Sequence, residues 1–72
     1  MKVRYYADTD SLYIDLSEQV SEESREVADG IVLDYDAHGN LVGIDIDQAS
    51  TKGALDRLSV SNLPGQVETD AA

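Results

Sequence analysis

The chain reads as a small α+β domain, an antiparallel sheet built from two β-hairpins and covered on one face by a C-terminal helix, in the order β-β-(β)-β-β-α. Three observations predict it. Apolar residues alternate with period two from Lys2 to Tyr6 and from Leu12 to Leu16, as half-buried strands do. Ile31 to Asp47 folds back about Ala37-His38-Gly39-Asn40, so that Tyr35 meets Val42, Leu33 meets Ile44 and Ile31 meets Ile46 on one apolar side. After Asp47 the apolar spacing changes from two to three and four, the period of a helix.

In the first hairpin, a loop at Ala7-Asp8-Thr9-Asp10 pairs Tyr5 with Leu12 and Val3 with Ile14. The same register sets Lys2 opposite Asp15 and Arg4 opposite Tyr13, so charge and aromatic pairing on the outer face agree with apolar pairing on the inner one. A slip of one residue would turn the apolar set to solvent, which makes the agreement of both faces stronger evidence than strand propensity. From Ser17 to Asp29 the pattern fades. A helix there would bury only Val20 and Val27 beside Leu16, too little to dock it, so the stretch reads as a loop leading into a short strand at Arg25 to Ala28. Asp29-Gly30 then punctuates the entry to the second hairpin, where glycine supplies a bulge or a positive φ.

Ser50 is placed to cap a helix over Thr51 to Leu58, whose Ala54, Leu55 and Leu58 form a stripe for the apolar side of the sheet. Gly53 weakens that helix by about 1 kcal/mol relative to alanine, so docking rather than propensity has to hold it. The domain is expected to span residues 1–58, with residues 59–72 a mobile tail rich in turn residues and without period.

A chain of 72 residues buries only about 60% of its unfolded surface, and its folding margin is thin. A partner or a second copy would relieve it. Cysteine is absent, which excludes disulfides and thiolate metal or redox sites and points to the cytoplasm. The N-terminus runs straight into alternating residues with no signal-like apolar stretch, and no segment approaches membrane-spanning length. Fifteen acidic residues against five basic ones give a formal net charge of -10, a field that repels nucleic acid and anionic membranes and attracts basic surfaces.

Chemistry-bearing residues are few. Asp34, Asp36, Gly39, Leu41 and Asp45 match part of a helix-loop-helix calcium loop, but His38 stands where an oxygen ligand is needed and Asp45 is shorter than the closing glutamate. A hairpin turn needs the same Asp, Gly and Asn residues, so weak calcium binding over Asp34 to Asp45 is the alternative rather than the leading reading. On the sheet, Asp34, Asp36, Asp45 and Asp47 share the side opposite the core with Val32 and Leu41, an acid plate that, with Tyr13, is the candidate partner face. Paired carboxylates in glycosidases need a cleft that raises one pKa, and a sheet this small offers none. His38 is the sole histidine and has no oriented hydroxyl beside it. Tyr5 and Tyr35 read as core; Tyr6 and Tyr13 read as an exposed aromatic pair suited to another protein. No catalytic residues, cofactor, metal or small-molecule substrate are inferred.

The runs Val3-Arg4-Tyr5, Asp10-Ser11-Leu12-Tyr13-Ile14-Asp15-Leu16, Gly30-Ile31-Val32-Leu33-Asp34-Tyr35-Asp36, Gly39-Asn40-Leu41-Val42-Gly43-Ile44-Asp45-Ile46 and Ala49-Ser50 resemble the domain-of-unknown-function family numbered 2283. Leu33 to Ile46 is the most specific piece. Thr9-Asp10-Ser11, where members often carry a small residue, and the length after Leu58 depart from the pattern. The resemblance implies a small α+β unit with antiparallel strands and a C-terminal helix, and it brings no catalytic residues. It also implies small prokaryotic proteins, some encoded beside small toxin-like proteins, and so an antitoxin-like partner of a small basic protein. Composition and resemblance together lead to the expectation of a non-catalytic protein-interaction module that pairs with a basic protein or with itself.

Overall fold

The computed structural model describes residues 1–53 and 68–71. The expected class holds: antiparallel strands form an open sheet, and a short helix follows the last of them. In chain order the elements are β1 (Lys2–Tyr6), β2 (Ser11–Asp15), β3 (Glu23–Ala28), β4 (Ile31–Tyr35), β5 (Leu41–Ile46), α1 (Ala49–Lys52) and β6 (Glu68–Ala71). They make one sheet in the order β3-β4-β5-β2-β1-β6, in which only the β1–β6 pair is parallel. None of the described residues forms a helix long and apolar enough to cross a membrane.

The first hairpin has the expected register throughout, from Lys2 opposite Asp15 to Tyr6 opposite Ser11. The second departs from expectation at one point. Ile31 pairs with Ile46 and Leu33 with Ile44, but a register shift after Asp34 sets Tyr35 opposite Leu41 and not Val42. The cause lies in the loop. Asp36 turns its carboxylate back to accept from the backbone N–H of His38 and of Asn40, both at 2.9 Å, and its own N–H donates to the Asn40 carbonyl. Closing that loop around Asp36 draws Leu41 one position nearer to Tyr35, and Gly39 supplies the φ of +82° that the reversal requires.

The expected short strand before the second hairpin is longer than Arg25 to Ala28: β3 begins at Glu23, and a bulge at Val27 precedes the two-residue turn Asp29-Gly30, where Gly30 has φ +74°. A polar sequence forms a strand here because β4 offers it a backbone ladder. Its charges and its bulge suit an edge that should not recruit another strand.

Register sorts the side chains into two faces. One inner row runs Val3, Ile14, Ile44, Leu33 and Arg25, and the next runs Tyr5, Leu12, Ile46, Ile31 and Ala28. Arg25 ends the apolar row with its guanidinium 5.2 Å above the Tyr35 ring and paired with Glu23 at 3.0 Å. Among the described residues Val42 and Ala49 are the buried apolar side chains.

At the end of the sheet the helix differs from expectation. Ser50 is not its cap: α1 begins at Ala49, preceded by Gln48 in the left-handed conformation with no side-chain cap. Ser50 instead donates its hydroxyl to Asp10 Oδ2 at 2.6 Å and its backbone N–H to Asp10 Oδ1 at 3.2 Å. The Tyr5 hydroxyl completes the set, donating to Asp10 Oδ1 at 2.7 Å. A residue in the first hairpin loop thus serves the helix as a cap supplied from far away in sequence. These donors, Ser50 first and then Tyr5, hold the Asp10 carboxyl below the ordinary aspartate range. Most of the expected helix, with Ala54, Leu55 and Leu58, lies outside the described residues, as does most of the expected tail. Within that tail, however, residues 68–71 form β6 along β1, where the residue pattern suggests no element.

Candidate functional site on the outer face

The face opposite the apolar rows carries the candidate partner residues. One outer row runs Arg4, Tyr13, Asp45, Val32 and Glu26; the next runs Lys2, Asp15, Gly43, Asp34 and Ser24. Tyr13, Asp34 and Asp45 therefore come together as expected, joined by Asp15. Asp47 stands at the end of β5, where it accepts from the Ser11 hydroxyl at 3.4 Å. Asp36 is not on this plate, because its carboxylate is engaged inside the turn by His38 and by both nitrogens of Asn40. Those bonds, led by the one from the Asn40 backbone, pull its carboxyl below the ordinary range.

The centre of the face is a cross-strand contact. Tyr13 is not an exposed ring; it is half-buried, lying across the strand between its own β2 and the next strand but one, β4. Gly43 leaves the lane. A methyl group there would collide with the Tyr13 hydroxyl and come within 2.6 Å of the ring carbon that bears it, so only glycine admits the ring. Along this lane the Tyr13 hydroxyl reaches Asp34 and donates to Oδ2 at 2.8 Å, while the Ser24 hydroxyl of β3 donates to Oδ1 at 2.6 Å. Four neighbouring strands, β2 to β5, are tied across their polar side by one tyrosine, one glycine, one aspartate and one serine.

Electrostatics follows from that packing. Burial pushes the Tyr13 phenol up to about 12, aided by the hydrogen bond to Asp34 and by the charges of Asp34, Asp15 and Asp45. The Asp45 carboxyl is also raised, first by burial and then by the charges of Asp47 and Asp34. No described residue donates a hydrogen bond to Asp45 or pairs with it. Asp15, by contrast, has the Arg4 guanidinium at 3.7 Å. Beside Asp45, a shallow hollow is walled by Tyr6, Tyr13 and Arg4, with Thr9 and Ser11 at its rim. Among the described residues no group of three or more His, Cys, Asp or Glu side chains is placed to hold a metal ion.

A phenol whose folded pKa lies above its unfolded value contributes stability that is fully present below about pH 10 and is lost as pH rises toward 12. We expect a loss of stability over that window in the wild-type chain that is smaller in Tyr13→Phe, read as melting temperature against pH. One phenol should ionise after the rest when absorbance at 295 nm is followed. Equal alkaline losses in both proteins would show that the Tyr13 phenol is not held in this way.

Residues 2–50 match the family described as "Protein of unknown function (DUF2283)", about two thirds of the chain. The chain belongs to DUF2283. No curated protein and no solved structure matches it. The matched stretch contains every residue of the Tyr13 network as well as Asp10 and its partner Ser50, so the outer-face contact and the loop-to-helix tie both lie inside the DUF2283 unit. Sequence reasoning found the acid plate but missed Gly43, whose signal was there to read: a glycine in the middle of a strand marks a close approach by some other group.

Proposed function

We propose that this DUF2283 chain is a non-catalytic protein-interaction module that takes a basic partner on its outer face, around Tyr13 and Asp45. The observation that carries this reading is the state of Asp45. Its charge is disfavoured by burial and by Asp47 and Asp34, and no described group neutralises it, so a lysine or arginine from outside would relieve the repulsion. The Tyr13 ring, pinned over Gly43, adds a rigid aromatic surface beside that carboxylate, and the net charge of -10 would steer a cationic protein toward it. A small basic protein neutralised in an antitoxin-like pairing is the specific form of this role, and a cytoplasmic setting accords with it.

The test is a titration of the isotopically labelled chain with a lysine- and arginine-rich peptide, followed by amide chemical shifts. Shifts should gather at Tyr13, Asp34, Asp45 and Asp47, weaken as salt rises, and fall several-fold in affinity in Asp45→Asn. Equal shifts at Glu18, Glu22 and Glu23 would reduce the effect to net charge and defeat the reading.

The inner face is assigned to this chain's own C-terminal stripe. β5 and β6 both run parallel to β1, so a crossover has to join them, and we propose that it passes over the inner face. The tie from Tyr5 through Asp10 to Ser50 starts that link on the inner side. Ala54, Leu55 and Leu58 are the apolar residues that we propose cover it. Leu55→Asp should then lower the melting temperature and bring binding of a hydrophobic dye. An unchanged melting curve, or one that depends on protein concentration, would transfer the cover to a second copy.

A further inference from the structure

We infer that the outer edge of β1 is a strand-accepting site for an extended acidic segment, filled by residues 68–71 of the same chain and exchangeable for that segment of a second copy. Three observations lead there. The DUF2283 match ends at residue 50, and within the matched stretch β1 is an edge strand, so β6 closes an edge that the matched unit leaves open. The register sets Lys2 opposite Glu68 and Arg4 opposite Asp70, so two of the five basic residues in the whole chain stand against the two acidic residues of β6. A slip of one residue would lose that match. Finally, β6 has only four residues and is held by parallel pairing, which is weaker per residue than antiparallel pairing.

The length of the link allows exchange. Residues 53–67 separate α1 from β6, and fifteen residues reach about 50 Å when extended. The molecule is 34 Å in its longest dimension, so the same terminal strand can reach the β1 edge of its own chain or that of a neighbour. At low concentration the intramolecular arrangement wins through its effective concentration; at high concentration reciprocal exchange gives a two-fold dimer with no new contact type. This edge is distinct from the acid plate around Tyr13, and its occupant carries the opposite charge to the basic partner proposed there.

The experiment uses the peptide Gln66–Ala72 as probe, against the full chain and against residues 1–67. The shortened chain should bind the peptide, with new protection of β1 amides from hydrogen exchange, and the full chain should bind it at least tenfold more weakly. A peptide with lysine at both acidic positions should lose binding at least tenfold. In case the shortened chain does not fold, full-length E68K/D70K repels its own β1 and should accept the wild-type peptide; adding K2E/R4E should close the edge again. Failure of both chains to bind millimolar peptide while retaining their sheet spectrum would overturn the inference. So would unfolding of both, which would make β6 an integral strand. Mixed labelled and unlabelled full chains at millimolar concentration should give β1–β6 contacts between copies, and their absence would remove the second copy as an occupant.

Discussion

Replacing Val42 by aspartate is expected to abolish cooperative folding at neutral pH. Val42 is a 3% exposed apolar side chain, so a carboxylate there would be taken out of water. Burying an unpaired charge costs about 4 kcal/mol or more. Domains have margins of about 0.05 to 0.15 kcal/mol per residue, roughly 4 to 11 kcal/mol for 72 residues, so the cost is of the size of the whole margin. The circular dichroism spectrum of Val42→Asp should lose its sheet signature at pH 7 and regain part of it near pH 4, where the carboxyl is neutral. Leu41→Asp, one residue away but 38% exposed, should stay folded and move stability by about 0.5 kcal/mol. Similar behaviour of the two variants would mean that Val42 is not enclosed as described.

Gly43→Val is the second large effect, and its sign depends on Tyr13. In the wild-type background the added carbons collide with the phenol, so the ring has to leave its lane and give up the Asp34 oxygen. Overpacking costs about 1 to 3 kcal/mol, and the lost hydrogen bond costs about 0.5 to 1.5 kcal/mol. At about 4 to 8 °C per kcal/mol for a domain of this size, the melting temperature should fall by about 10 °C or more. In a Tyr13→Ala background the obstacle is gone, and valine in mid-strand should be neutral or stabilising by up to about 1 kcal/mol. The double-mutant cycle should therefore show a coupling larger than either background error. Additive effects would show that the ring does not occupy the space above Gly43.

Much of this architecture was legible because hairpin pairing is local. Val3 with Ile14 and Leu33 with Ile44 follow from alternation and loop length alone, and both faces of the first hairpin vote for the same register. What escaped was whatever depends on a partner distant in sequence or on a side chain that bonds backbone. Tyr35 met Leu41 because the Asp36 carboxylate gathers the loop amides, an interaction that alternation does not report. Ser50 looked like a cap by position, but Asp10, forty residues earlier, competes for it. β6 has no alternating pattern to announce it, since its place is set by β1 rather than by its own residues. The acid plate was found by counting carboxylates, yet its organising contact depends on β5 lying between β2 and β4, an order that no hairpin rule supplies.

That interposed strand has a consequence for biosynthesis. The two turns nearest the N-terminus close early, but the sheet between them has no middle until Leu41 to Ile46 has left the ribosome and slotted beside residues made some thirty positions before. Nascent chains halted short of that point hold two separate ribbons, each too small to persist in water. Quality-control proteases would meet such fragments as open polypeptide, and the finished molecule would appear in one late step.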